Sequence, residues 1–246
     1  MSNDPPMSVR IGCAGWSVPK EYAASFPDEG SHLEKYATKL NCAEINSSFY
    51  KPHRPSTYER WAASVPDGFQ FSVKVPREIT HTRKLTDFAE PLAQFLEECG
   101  HLGERLGPLL VQLPPSLAYD ANLAAPFFEA LNAQHNGDVV CEPRHESWFT
   151  PEANALLVQY HIARVAADPA RTPEAAHPGG WGGVSYYRLH GSPRIYYSAY
   201  SEDYLKALAA LLAPGDWCIF DNTASGSAIG NALSLMMHAL GNNSKN

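Results

Sequence analysis

Short apolar runs alternate with amphipathic segments along most of the chain. Eight of these runs are nearly continuous in apolar residues, which is typical of strands that are covered on both faces. The predicted strands are Val9–Ala14, Cys42–Ile45, Phe69–Val75, Pro108–Leu113, Asp138–Cys141, Ile162–Ala167, Val184–Leu189 and Trp217–Phe220.

The segments between these strands place apolar residues at helical spacing. In Phe88–Leu102, for example, Leu92, Phe95, Leu96 and Cys99 form one stripe, as expected for a helix that packs on a core. The predicted helices are Ser31–Leu40, Pro55–Ser64, Phe88–Leu102, Ala121–Gln134, Pro151–Tyr160, Ser201–Leu212 and Ser227–Leu240.

This alternation predicts parallel strands joined by crossover helices. Eight such units in 246 residues favour an α/β fold, a single (β/α)8 TIM-type barrel over residues 1–246. Residues 1–8 and 241–246 are predicted to be flexible tails. The stretch Pro169–Gly183 holds three prolines and four glycines, so a loop is predicted to replace the crossover helix between strands six and seven. The loop is interpreted either as a lid or as a shortened crossover.

Composition narrows the classes of partner. The chain has 19 basic and 26 acidic residues, a net charge of −7, which disfavours binding to nucleic acid or to an anionic membrane. The apolar runs are far shorter than a membrane span, and no export signal is recognised at the N-terminus. The five cysteines form no CxxC pair, so a reducing cytoplasm is the expected compartment.

Polar side chains follow seven of the eight predicted strands, and TIM barrels carry their active sites at that end. Ionisable groups there are costly unless they are paired or solvated, so we predict a polar pocket of mixed charge. The alternative is that these groups only cap strands and pair among themselves. The predicted catalytic residues are Glu44, Lys74, Glu142 and His190. The predicted substrate-binding residues are Trp16, Asn46, Tyr50, His81, Gln112, Arg144, His145, Trp148, Arg188 and Asn222.

This mixture of charges predicts an enzyme that uses acid–base chemistry on a small anionic or sugar-like substrate, phosphorylated or not. Glu44 and Glu142 are the predicted acid–base groups. Lys74 is interpreted as an electrophile, a charge stabiliser or a Schiff-base amine. Arginines such as Arg144 and Arg188 suit bidentate binding of a carboxylate or phosphate. The reaction class stays open among isomerase, lyase and hydrolase.

Two other function classes remain. Glu142, Asp168, His190 and Asp221 follow strands five to eight and would converge on a divalent ion in a hydrolase or isomerase. Because no short ligand motif such as HExxH supports that site, no cofactor is predicted. A non-catalytic barrel that binds a ligand or a nucleic acid is the third class. The oligomeric state is left open.

Several motifs, in a fixed order along nearly the whole chain, carry a family resemblance. They are Ile11–Trp16, Ala43–Tyr50, Phe71–Pro76, Ile79–His81, Gly107–Pro115, Glu142–Trp148, Tyr187–Gly191 and Phe220–Thr223. Together they resemble the domain-of-unknown-function family 72, also called YecE-like. The resemblance implies a TIM-type barrel in a soluble bacterial or archaeal protein, and it implies no particular reaction.

Overall fold

The computed structural model describes residues 8–243, with side chains to residue 241, and contains a sheet of ten strands. The predicted tails 1–8 and 241–246 fall largely outside the described residues. The strands are β1 (Arg10–Ala14), β2 (Cys42–Ile45), β3 (Gln70–Lys74), β4 (Leu106–Gln112), β5 (Val139–Glu142), β6 (Ile162–Arg164), β7 (Ala166–Asp168), β8 (Gly179–Gly180), β9 (Tyr186–Leu189) and β10 (Trp217–Phe220).

The sheet curls into a nearly closed barrel of parallel strands. Its order is β7-β9-β10-β1-β2-β3-β4-β5-β6-β8, so β1 pairs with both β2 and β10. The predicted strand Ile162–Ala167 is divided at Val165 into β6, which pairs with β5, and β7, which pairs with β9. This one stretch of chain therefore connects the two sides of the barrel. The predicted α/β fold, a TIM-type barrel, is confirmed.

Eight α-helices lie among the described residues. They are α1 (His32–Ala37), α2 (Ser47–Tyr50), α3 (Pro55–Ala63), α4 (Ala89–Gly100), α5 (Ala121–Gln134), α6 (Pro151–Gln159), α7 (Glu202–Ala209) and α8 (Ser227–Asn243). The connection from β7 to β9 has no α-helix: it holds a 3-10 turn at Pro173–Ala176 and the short strand β8, which pairs antiparallel with β6. Prolines and glycines explain this, because they oppose a regular helix.

Buried apolar side chains form two separate clusters. The larger one joins the strands to the helices around them. The smaller one contains strand and loop residues only, and it fills the barrel interior below the polar strand ends. Its members include Cys42, Leu110, Val140, Tyr186 and Ile219. Each of them lies two positions before a polar residue on the same face, because strand side chains alternate.

Gly12 lies in β1 opposite Cys42 of β2. A Cβ atom at this position would overlap the carbonyl oxygen of Cys42, whereas a Cβ at Gly100, near the end of α4, would meet no atom within 4 Å. We expect Gly12→Ala to lower the free energy of unfolding by about 1–3 kcal/mol, since overpacking forces the strands apart. Gly100→Ala is the control and should change stability by less than about 1 kcal/mol in the same urea titration. Equal effects of the two substitutions would contradict the close approach.

Candidate functional site

Six charged or ionisable side chains at the carboxyl ends of the strands form one hydrogen-bonded ion network. Its members are Glu44, Glu142, Arg144, Arg188, His190 and Asp221. They come from β2, β5, β9 and β10 or from the residues just after those strands. The barrel thus brings together residues that lie up to 177 positions apart in the chain.

Arg188 is the centre of the ion network and is completely buried. Its guanidinium forms a two-pronged contact with Glu44, from Nε to Oε2 at 3.0 Å and from Nη2 to Oε1 at 2.6 Å. Nη1 donates to Glu142 Oε2 at 2.6 Å, and Nη2 also reaches Asp221 Oδ2 at 3.2 Å. Burial alone would lower the pKa of Arg188, but the three carboxylates outweigh burial and raise it. Arg188 is therefore a permanent cation.

Glu142 is the most heavily shared carboxylate. Besides Arg188, it contacts Arg144 Nη2 through Oε1 at 2.6 Å and accepts a hydrogen bond from Gln112 Nε2 at 3.1 Å. Burial by itself would raise the pKa of Glu142, but Arg188, Arg144 and His190 together hold that pKa well below its usual range. Glu142 therefore stays ionised at neutral pH and has no proton to give.

His190 connects two carboxylates of the ion network. Its Nδ1 lies 3.0 Å from Asp221 Oδ2, and its Nε2 lies 2.8 Å from both Glu142 Oε1 and Arg144 Nη2. For Asp221, burial would raise the pKa, but Arg188 and His190 lower it below the ordinary value. With both ring nitrogens engaged, the imidazole is fixed in orientation.

Lys74, the last residue of β3, stands beside the ion network without joining it. Its Nζ has no hydrogen bond or ion pair to any described residue and lies over the Phe49 ring, 4.1 Å from the centroid. The residue is only 8% exposed. Burial and then Arg188 lower the pKa of Lys74 to about 8, although Glu44, Glu142 and Asp221 act in the opposite direction. Lys74 therefore exists partly as a free amine near neutral pH.

His81 and Asn46 lie on the Lys74 side of the barrel. The His81 ring packs on Phe49 at 4.9 Å, and its Nδ1 lies 2.9 Å from the Thr80 hydroxyl. Burial, followed by the charges of Lys74 and Arg77, lowers the pKa of His81 to about 4, so this imidazole is neutral at pH 7. Asn46 Oδ1 is buried and has no hydrogen-bond partner among the described residues.

Other predicted substrate-binding residues have structural contacts. Trp148 is 1% exposed and donates from Nε1 to the Leu117 carbonyl at 3.0 Å. His145 Nδ1 accepts from the Ser147 amide at 3.2 Å and so caps a 3-10 turn. Asn222 Nδ2 donates to Ser198 O and to Asn231 Oδ1, both at 2.9 Å. These three side chains do not join the ion network.

Trp16 and Tyr50 line two cavities whose lining residues include no member of the ion network. Trp16 packs on Trp61 with ring centroids 5.1 Å apart and lines a cavity of about 310 Å³ with residues 13–17, Thr223 and the start of α8. Tyr50 is 78% exposed and lines a cavity of about 270 Å³ on the outer side of Phe49. Phe49 lines the second cavity and also contacts Lys74.

The four residues considered for a metal do not all meet. Glu142, His190 and Asp221 converge, but Asp168 instead accepts a hydrogen bond from the Tyr200 hydroxyl at 2.9 Å. Within residues 8–243, no group of three His, Cys, Asp or Glu side chains is arranged to hold a metal ion. Arg188 and Arg144 also hold both oxygens of Glu142, so a cation would have to displace these two cations.

Two residues of the site, Tyr186 and Ser72, were not predicted, and the aromatic residue Tyr196 lies beside the ion network. The Tyr186 hydroxyl donates to Glu44 Oε2 at 2.9 Å and contacts Ser72 Oγ at 2.8 Å, which closes the network on its inner side. Tyr196 is half-exposed, and its ring centroid lies 6.2 Å from that of His190. Period-two alternation indicates the first two, because Ser72 shares a face with Lys74, and Tyr186 shares one with Arg188.

Comparison with known proteins identifies the family to which this chain is similar and solved structures that share its fold. The sequence profile of the family "Protein of unknown function DUF72" matches residues 10–246. The UPF0759 protein YecE of Escherichia coli K12 is 30% identical over 177 residues, which cover 69% of this chain and 62% of that protein. The chain therefore matches less than two thirds of the length of that curated relative.

Two crystal structures of DUF72 family proteins have the same fold. One, from Enterococcus faecalis, superposes with a TM-score of 0.77 at 20% identity and covers 94% of this chain and 95% of its own. The other, from Thermotoga maritima, has a TM-score of 0.75 at 23% identity, with 94% and 98% covered. Across the described part of the chain, no helix is long and apolar enough to cross a bilayer.

Proposed function

Because the chain belongs to the DUF72 family, whose description specifies no reaction, we propose its function from the geometry of the barrel. We propose an enzyme that uses acid–base chemistry on a small anionic or sugar-like compound at the carboxyl ends of the strands. Lys74 is the group that exchanges the proton, and Arg144 is the group that binds the anion. The ion network around Arg188 holds Arg144 in place, and Lys74 lies beside the network over the Phe49 ring.

The observation that carries this proposal is the state of the Lys74 amine. Three carboxylates lie in the adjoining network, yet Arg188 and Arg144 occupy them, and no described residue forms an ion pair with Lys74 Nζ. A buried cation without a direct partner lowers the stability of the fold. Groups of this kind cluster at active sites, where their chemistry is needed for function. The resulting pKa of about 8 suits a general base near physiological pH.

Glu44 and Glu142 have a different role in this proposal from the one that their positions in the sequence suggest. Each is buried and bound to Arg188, and Glu44 also accepts from Tyr186. The pKa of Glu142 is held well below its usual range, so Glu142 is a weak base, and neutralising either carboxylate would remove part of the compensation of the Arg188 charge. We therefore assign Glu44 and Glu142 to positioning Arg188 and Arg144.

Arg144 is the side chain that we assign to the substrate anion. Its Nη2 contacts Glu142 and His190, whereas its Nε is buried and has no hydrogen-bond partner among the described residues. A buried donor without an acceptor costs about 1–3 kcal/mol, and a carboxylate or phosphate would remove that cost. Tyr196, half-exposed beside His190, offers an aromatic face to a sugar ring.

The pH dependence of turnover follows from Lys74 acting as a base. Only the neutral amine accepts a proton, so kcat/KM is expected to rise with pH and to level off above about pH 8. Steady-state rates between pH 6 and 10 measure this rise of kcat/KM with pH. A rate that falls as the pH passes through 8 would mean that the protonated form is the active one, and would contradict the assignment.

A ligand and turnover screen tests the proposed function. Purified protein is incubated with phosphorylated sugars, hydroxy acids and neutral sugars, and binding is followed by the shift in melting temperature. Compounds that bind are then followed by NMR for conversion. Anionic compounds should bind, and Arg144→Gln should weaken their binding. Arg194→Gln is the control: it replaces an exposed arginine that lies over Tyr197, and it should leave binding unchanged. Binding without conversion of any compound would favour the non-catalytic ligand-binding barrel.

A further inference from the structure

We propose that Lys74 acts as a nucleophile that forms an imine with a small aldehyde or ketone, and that Arg144 binds a carboxylate or phosphate on the same molecule. This inference rests on the proposed function and specifies its substrate class as an anionic carbonyl compound. It goes further because the amine then becomes covalently bound to the substrate rather than only accepting its proton.

The geometry favours attack by the amine itself. Nζ lies against one face of Phe49, and no donor or acceptor of a described residue engages it, so its lone pair is available once the proton is lost. Glu44, which would trap a lysine as an ion pair, is instead held by both prongs of Arg188. A lysine that is desolvated and close to another cation is the usual form of an imine-forming amine.

Charged and titratable groups surround Lys74 on several elements. Arg188 from β9 lowers its proton affinity, whereas Glu44, Glu142 and Asp221 raise it. His81 packs on the Phe49 ring, and Lys74 contributes to lowering its pKa to about 4, so this imidazole is neutral at pH 7. At pH 7.4 an amine with a pKa of about 8 is roughly 20% neutral, against about 0.1% for an ordinary lysine.

The reaction balances without a cofactor or redox partner. The nitrogen lone pair attacks the carbonyl carbon to form a C–N bond, and the carbonyl oxygen takes up protons and leaves as water. In total, one ammonium and one carbonyl compound give one iminium ion and one water molecule, with the charge unchanged.

The carboxylates of the ion network suit an iminium product. Glu44, Glu142 and Asp221 each raise the proton affinity of Lys74, so they favour a positive charge on its nitrogen. An iminium ion places its charge on that nitrogen, and the same carboxylates therefore stabilise it.

Reductive trapping tests the inference. The full chain is incubated at pH 8 with glyoxylate, an aldehyde that carries a carboxylate, and with sodium cyanoborohydride, which reduces an imine to a stable secondary amine. Peptide mapping by mass spectrometry then locates the carboxymethyl group. Lys74 should be modified at least about tenfold faster than Lys206, an exposed lysine on α7, because a pKa of about 8 leaves a large share of the Lys74 amine neutral at this pH.

Variants separate the nucleophile from the anion site. Lys206→Met should leave trapping at Lys74 unchanged, and Lys74→Met should abolish the fast modification. Arg144→Gln should slow trapping by glyoxylate about tenfold while leaving trapping by acetaldehyde, which has no carboxylate, nearly unchanged. Modification of Lys74 no faster than that of exposed lysines would overturn the inference.

Glycolate distinguishes failure of the imine from failure of the proposed function. It carries the same carboxylate as glyoxylate but has no carbonyl group to trap. If Lys74 is not trapped while glycolate still raises the melting temperature through Arg144, the imine is excluded and acid–base chemistry on an anion survives. If Lys74 is not trapped and glycolate does not bind, both proposals fall.

Discussion

Replacing Arg188 by methionine is expected to lower the free energy of unfolding by about 3–5 kcal/mol. The substitution leaves Glu44 and Glu142 as buried carboxylates that have lost their main cation, and such uncompensated charges are among the most destabilising changes known in protein cores. Urea unfolding at pH 7, followed by circular dichroism, measures the loss, which amounts to a large share of the stability of a typical domain.

Arg83→Met is the matched control for Arg188. Arg83 also forms an ion pair, to Glu78 Oε1 at 2.6 Å, but both side chains are exposed, so its loss should cost less than about 1 kcal/mol. Adding Glu44→Gln to Arg188→Met should restore part of the stability, because the amide removes one of the two stranded charges. A loss at Arg188 no greater than that at Arg83 would contradict the central position of Arg188.

The second large effect is expected on replacing Lys74, and it is an effect on the rate of the catalysed reaction rather than on stability. Lys74→Met should lower kcat/KM for the compound chosen by the ligand screen by a factor of about 10²–10⁴, the usual contribution of a positioned proton-transfer group. Stability at pH 7 should stay the same or rise by up to about 3 kcal/mol, since an unpaired buried cation is removed. The linkage has this sign because the unfolded chain binds the proton more tightly than the folded one.

Two variants sharpen this expectation. Lys206→Met removes an exposed lysine and should alter neither rate nor stability. Lys74→Arg retains a cation but has no free amine near neutral pH, so it should keep anion binding and lose turnover. If Lys74→Arg retained full turnover, Lys74 would act only as a fixed positive charge.

Hydrophobic patterning predicted the barrel but not how it closes. Seven of the eight apolar runs correspond to single strands, with ends displaced by a few residues. The eighth is divided at Val165, although the Val165 amide still donates to Cys141 O at 2.9 Å. Apolarity indicates that a strand is covered on both faces, whereas the change of partner from β5 to β9 depends on residues distant in sequence.

The convergence of the polar strand ends could also be predicted, because parallel strands in a barrel end at one edge. The division of roles could not. Glu44 forms its ion pair with Arg188, whereas Lys74 lies over Phe49. Which of the two cations pairs with Glu44 depends on how far each side chain extends across the barrel, and the position of a residue in its strand does not give that. Trp148 illustrates the same limit, since its hydrogen bond to Leu117 O identifies it as a packing residue only once the loops are placed.

The titration of Lys74 tests the account most directly. Protein labelled with ¹³C at lysine Cε is followed by NMR between pH 6 and 11, and the Lys74 signal is the one absent from Lys74→Met. We predict a midpoint at about pH 8, with a change in the same signal when an anionic ligand is added. A midpoint near 10.4, the ordinary pKa of a lysine, would contradict the account.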